Sequence, residues 1–355
     1  MKAITIAPNT KPATKIREVE QPTPKEDEAL VKVTEAGICR TDLEIYNGFY
    51  GEYPKGADFL IMGHESIGQV EATGANATGL KKGDYVARTV RRPCSEEGCI
   101  NCRAGETDFC MTGKYTETGI KGLHGIMTEY YADKPEYLVR VPQEFAKVGV
   151  LMEPLSFSEK AVTQAYKVQR RISWQPRRAL IFGAGPIGLL EAMVLRNKGI
   201  ETYVAARSEP GNKKSRIAEQ IGAHYISTQD TDLADLGKFD IVIESSGSLT
   251  RIMDALGMAG TNGVVCLTSI TGGSDYAVMP IEKINLDIVL GNKAIIGAVN
   301  ASISDYHKGL EDMADFERKW PGTLSSLITK RVKPEQYAEA FEHGAEDIKT
   351  VIEFY

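Results

Sequence analysis

Four cysteines crowd into one short stretch of this sequence, spaced Cys94-x4-Cys99-x2-Cys102-x7-Cys110. Thiolates at that density can close a tetrahedral shell around one zinc ion with no open position, which makes a structural site. In a reducing compartment such a cluster binds metal more often than it forms disulfides. A second set of ligand types is more scattered. Cys39, within GICRTD, offers a soft sulfur; His64 and Glu65, within GHE, offer an imidazole and a carboxylate; Glu153 follows much later. A catalytic zinc takes two or three protein ligands and keeps a position for water or substrate. Spacing alone leaves this set open, because a lone cysteine is more often a small buried hydrophobe and a lone histidine more often a packing or capping residue. Asp42 is equally open: it either anchors a metal ligand or simply closes a turn.

A third constellation is Gly183-Ala184-Gly185-Pro186-Ile187-Gly188, a G-x-G-x-x-G sequence after a short apolar run and before a helical pattern with Ile187, Leu190 and Val194 on one face. That context points to a dinucleotide. The first glycine permits a tight turn, the second lets backbone approach a pyrophosphate, and the third lets helix and strand pack closely. The helix N-terminus adds free N–H groups and positive dipole. An NAD site usually ends its second strand with an acid that grips the ribose 2′-hydroxyl. Here that strand ends Ala205-Ala206-Arg207-Ser208. Arg207 offers a planar fork to a 2′-phosphate and Ser208 a further hydrogen bond. The site therefore favours NADP, with NAD tolerated.

The elements that must carry these residues fall into two styles. Up to about residue 150 the chain runs as short β-type segments such as ALVKVTEAG, SIGQVEATG and GDYVARTV between frequent turn residues. Beyond Glu153 strand-like and helix-like patterns alternate: ETYVAA, KKSRIAEQIG, FDIVIE, LTRIMDALGMAG, GVVCLTS and AIIGAVN. Such alternation builds a parallel sheet covered by helices. Periodicity does not say where the remaining tail packs. At 355 residues and 42% hydrophobic, the chain has material for two domains. A net charge of −6 and the lack of basic stripes argue against nucleic acid, including a zinc-ribbon use of the cysteine lobe, and against an anionic membrane. The N-terminal residues lack the apolar core of a secretory signal and no apolar run is long enough to span a bilayer, so the expected location is cytoplasmic. His124 and His224 read as structural, and Cys266, in an apolar strand, reads as core.

GICRTD, GHE, the four-cysteine lobe and GAGPIG occur in an order that resembles the zinc-containing medium-chain alcohol dehydrogenases along essentially the whole chain. VRRP, DFCMTGKYTETGIKGLHGIM, EYLVRVP, LMEPL, IGAVNAS and IKTVIEFY are similar to the archaeal-type glucose 1-dehydrogenase branch. The resemblance implies an α/β protein, with a GroES-like β-rich catalytic domain from residues 1–155 and 301–355. A Rossmann doubly wound parallel-sheet domain, 156–300, is inserted before the tail. It implies a catalytic zinc on Cys39, His64 and Glu65, with Glu153 as exchangeable ligand or substrate contact, and Thr41 in the proton path. Glu117 matches a position that contacts sugar hydroxyls, and Asn300 one near both nicotinamide and substrate. Gly183, Gly185, Pro186, Ile187 and Gly188, with Ala206, Arg207 and Ser208, would hold the phosphates. Thr268, Ser269, Ile270, Val299 and Asn300 would line the nicotinamide half.

The activity implied is zinc-dependent hydride transfer from C1 of an aldose such as glucose to NADP or NAD, giving the aldonolactone, by a homodimer or homotetramer. The sequence departs from the branch at two extra residues after Cys94, at Val90, at Phe157 and at Asp305 with nearby His307. The last three fall on substrate recognition. Polyol, threonine and simple alcohol dehydrogenases share the same ligands and cofactor motif. A non-catalytic NADPH-binding protein would have dropped the zinc ligands, which are present.

Overall fold

The computed structural model describes residues 1–7, 14–271, 276, 278–342 and 344–355. The chain forms two compact units: Met1–Ser156 with Asn300–Leu310 and Ile328–Tyr355, and Phe157–Val299 with Glu311–Leu327. Sequence reading assigned all of 301–355 to the first unit. Residues 311–327 instead group with the second, where the Asn197 amide donates to Asp312 at 3.0 Å and to Asp315 at 3.3 Å.

The first unit is built around the strand Ala29–Gly37. Its sequence, ALVKVTEAG, sends Val31 and Val33 into a core shared with Val70, Val86 and Ile352. Fully burying each such side chain stabilises the fold by roughly 1.5–3 kcal/mol. This strand pairs antiparallel with Glu65–Thr73 and with the final strand, Lys349–Glu353. The register sets Gly37 opposite both Glu65 and Val351, so the segment leaving the strand enters the Cys39 turn beside His64 and Glu65. A separate small sheet pairs Arg91–Arg92 with Thr116–Thr118, and sets Arg91 opposite Glu117.

The second unit holds a six-stranded sheet, parallel throughout. In chain order its strands lie third, second, first, fourth, fifth, sixth, with Arg178–Phe182 central. That is the doubly wound order of a dinucleotide-binding sheet. The central strand reads RALIF and buries Ala179 to Phe182 completely, as expected of a parallel strand covered on both faces. The helices Pro186–Asn197, Lys213–Gln220, Leu249–Met258 and Ile281–Leu290 follow the first, second, fourth and fifth of these strands in chain order. The alternation seen in the sequence is therefore realised as a Rossmann-type unit, and Cys266 is core.

Candidate active site

Cys39 is the N-cap of the short helix Arg40–Tyr46. Its sulfur accepts from the Thr41 backbone amide at 3.3 Å, and the Asp42 carboxylate (Oδ2) accepts from the Cys39 backbone amide at 2.9 Å. This reciprocal cap fixes the sulfur's direction. His64, between Gly63 and the strand Glu65–Thr73, places Nε2 3.0 Å from Cys39 Sγ. On the other side of its ring, Nδ1 lies 3.4 Å from Asp42 Oδ1, and neither buried atom has another hydrogen-bond partner. Asp42 therefore reaches two partners. It caps the turn, and it faces Nδ1, which would leave Nε2 for a metal, the arrangement that carboxylates give to metal-binding histidines.

One ligand atom from each of Cys39, His64 and Glu65 lies within 4.8 Å of the others. Sulfur, imidazole and carboxylate around one point, largely withdrawn from solvent, are the donor set zinc takes with a position left open. Burial pushes the Cys39 thiol up, against the pull of His64. Burial also works against a charged His64, but Cys39 and Asp42 outweigh it and hold the imidazole well above its usual range. Two protons held by neighbouring ligands are those a divalent cation displaces on binding.

Glu153, in the first turn of Met152–Val168, stands outside this three-residue set. Burial pushes its carboxyl up to about 7, with His64 opposing and Glu65 adding to the rise. It therefore senses the charges of the same group.

Sequence reading missed Lys349. This buried lysine donates to Glu65 Oε2 at 2.5 Å and to the Ile38 carbonyl at 3.0 Å. Gly37 leaves the space: a Cβ there would sit 2.2 Å from Glu65 Oε2. A lysine opening the final strand, KTVIE, was the one signal the sequence offered. Removing one partner of a buried ion pair strands the other charge, so Lys349→Met is expected to cost about 3–5 kcal/mol of stability. Urea unfolding of variant and wild type side by side checks this, and a loss below about 1 kcal/mol would contradict it.

In the cysteine lobe, Cys94, Cys99, Cys102 and Cys110 bring their sulfurs within 4.8 Å of one another, and none is in a disulfide. Cys99 and Cys110 sulfurs are 3.9 Å apart. A tetrahedral shell with Zn–S of about 2.3 Å has S···S edges of about 3.8 Å. The two extra residues after Cys94 do not prevent its joining the group.

Glu117 and Asn300 also meet. Asn300, held at φ 58°, donates through Nδ2 to Glu117 Oε1 at 3.1 Å. In the second unit, Gly183 turns at φ 118° and Gly185 caps the helix Pro186–Asn197, with open space where its Cβ would be. A Cβ on Gly188 would meet the Gly183 carbonyl at 2.0 Å, so that position requires glycine for close packing. These three roles fit a pyrophosphate cradle. Ala206 ends the second strand, and Arg207 and Ser208 follow it exposed. The Ser208 hydroxyl bonds the Tyr225 hydroxyl at 2.6 Å, and the latter donates to the Ser208 carbonyl at 3.0 Å. Ser208 is thus held by a tyrosine that sequence reading did not single out. Thr268 and Ser269 sit at the end of the fifth strand, bonded to Glu244. Ile270 and Val299 are exposed.

Residues 25–143 match the family described as alcohol dehydrogenase GroES-like domain, and residues 146–354 that described as glucose dehydrogenase C-terminus. The chain is 41% identical to glucose 1-dehydrogenase of Methanocella arvoryzae, covering 99% of each chain. It is 40% identical to glucose 1-dehydrogenase 1 of Caldivirga maquilingensis, again covering 99% of each. Among solved structures it resembles Haloferax mediterranei glucose dehydrogenase in complex with NADP, Zn and gluconolactone. That match has a TM-score of 0.90 and 31% identity, covering 100% of this chain and 99% of the other. At 23% identity and a TM-score of 0.82, galactitol-1-phosphate dehydrogenase from Escherichia coli shares the fold.

Proposed function

This chain belongs to the zinc-containing medium-chain alcohol dehydrogenases and, within them, to the glucose dehydrogenases, and from that premise we propose that it oxidises C1 of glucose or a related aldose with NADP, releasing the aldonolactone. The observation that carries this reading is the convergence of Cys39, His64 and Glu65 on one point. Zinc bound there supplies Lewis acidity to the sugar's C1 hydroxyl, and the oxidised nicotinamide supplies the hydride acceptor. The protein's own residues do the rest. Cys39 and His64 hold the metal, with Asp42 orienting the imidazole from behind. Thr41, next to Cys39, takes the departing hydroxyl proton toward solvent. Glu153 approaches the same group from its helix and serves as a further ligand or a substrate contact. Glu117, braced by Asn300, accepts from sugar hydroxyls away from the reacting carbon. In the second unit Gly183, Gly185, Pro186, Ile187 and Gly188 hold the pyrophosphate, and Arg207 pairs with the 2′-phosphate. Thr268, Ser269, Ile270 and Val299 line the nicotinamide half.

The chain acts as a homodimer or homotetramer in the cytoplasm. The edge strand Ala294–Gly297 and the helix Ile281–Leu290 support assembly, since they leave Leu286, Val289, Leu290 and Ile295 exposed. Free cysteines support a reducing compartment. Among the described residues no helix is long and apolar enough to cross a membrane.

Steady-state oxidation of aldoses, polyols and simple alcohols, with NADP and with NAD, tests the reading. Glucose is expected among the best substrates, with NADP preferred. Arg207→Ala should shrink the NADP-over-NAD ratio of kcat/KM about tenfold, the worth of one charge-assisted contact of about 1.4 kcal/mol. Good turnover of a polyol or simple alcohol with none of any aldose would end the sugar assignment, and an unchanged cofactor ratio would end the role of Arg207.

A further inference from the structure

Arg91 belongs to the VRRP sequence that precedes the cysteine lobe, and nothing in the zinc or nucleotide chemistry uses it. It is buried beside Glu117, its partner across the antiparallel pair Arg91–Arg92 with Thr116–Thr118. Its Nε donates to Glu117 Oε1 at 2.9 Å, and Nη2 lies 2.8 Å from the same oxygen. The remaining arm, Nη1, donates to the Asp108 carbonyl at 2.9 Å, two residues before the lobe's last cysteine. The Tyr115 ring closes over the guanidinium, 3.8 Å from its Cζ. The fork is thus gripped at both ends and on one face, a geometry a lysine does not reproduce.

Both side-chain hydrogen bonds to the Glu117 carboxylate, from Arg91 Nε and from Asn300 Nδ2, end on Oε1, and the Arg91 Nη2 charge lies against the same oxygen. Among the described residues no donor meets Oε2. One carboxylate oxygen is anchored and the other is left to accept. We infer that Arg91 is a positioning residue for substrate selection: it fixes the Glu117 carboxylate so that Oε2 faces the hydroxyls of a polyhydroxylated substrate, and it ties that orientation to the cysteine lobe through Asp108. The inference rests on the reading of Glu117 as a sugar contact. A carboxylate locked in this way favours substrates with a hydroxyl at the matching position, because those lacking it displace water from Oε2 without replacing its hydrogen bond. Arg91 touches no reacting atom, so its loss should appear in KM and not in kcat.

The test uses the zinc-loaded enzyme at saturating NADP. Arg91→Lys is expected to raise KM for glucose about tenfold or more, the scale on which supporting residues act, with kcat changed less than about threefold. Zinc content and NADPH affinity should stay those of wild type. Combined with Glu117→Gln, the same change should add less than about twofold, since the carboxylate through which it acts is gone. If Arg91→Lys does not fold, Arg91→Gln keeps one donor for Oε1 and is expected to show the same split. An unchanged KM overturns the assignment, and so does an equal rise with and without the Glu117 carboxylate; in both cases wild-type turnover of glucose leaves the sugar reading standing. Wild type that oxidises no aldose overturns both.

Discussion

Cys39→Ala and His64→Ala are each expected to lower kcat/KM for glucose about a thousandfold or more, because a Lewis acid contributes several kcal/mol at the developing alkoxide. NADPH affinity should stay within a few-fold of wild type. The separation follows from where the parts sit. The sulfur and imidazole, 3.0 Å apart, belong to the first unit, and the glycine turn Gly183–Gly188 belongs to the second. Each unit has its own core and sheet, so a substitution at the metal point leaves the residues that build the nucleotide turn unchanged. Steady-state kinetics, zinc analysis and a fluorescence titration with NADPH check the two halves of the statement. Equal loss of turnover and binding would contradict it. Wild-type levels of turnover in a zinc-free variant would favour a chemistry in which these three donors take no part.

The second large effect belongs to the cysteine lobe. Cys99→Ser should remove one equivalent of zinc per chain and lower Tm by about 10 °C or more, since structural zinc contributes folding free energy outright and each kcal/mol is worth a few degrees in units of this size. Cys99 is the position of choice because it is fully buried among Cys94, Cys102 and Cys110. A serine there keeps the shape but offers no thiolate. Thermal unfolding followed by circular dichroism, with zinc stoichiometry measured on the same samples, decides the matter. A normal Tm with zinc missing would leave the lobe without a structural role.

What could be read in advance was local. The glycine turn and the cysteine lobe each lie within a short stretch, where spacing carries geometry directly, and the alternating apolar pattern sufficed for the parallel sheet. The donor point was not legible in that way. Cys39 and His64 are 25 positions apart. They meet because the strands Ala29–Gly37 and Glu65–Thr73 pair antiparallel with Gly37 opposite Glu65. Family resemblance supplied what spacing left open. Lys349 escaped both routes, because its partner lies 284 positions away and a lone lysine at a strand end reads as solvated. The placement of 311–327 escaped for a similar reason: the bonds from Asn197 to Asp312 and Asp315 span more than a hundred positions.

The final strand also sets an order of events during synthesis. Cys39, His64 and Glu65 leave the ribosome early, but the cation opposite Glu65 arrives 284 residues later, roughly 15–55 s at ordinary elongation rates. Over that interval the stretch Phe157–Val299 emerges whole, whereas the nascent first unit lacks Lys349–Glu353 beside the strand Ala29–Gly37. A chain released before residue 349 is added would therefore carry its nucleotide sheet entire and leave the Glu65 carboxylate without its lysine partner.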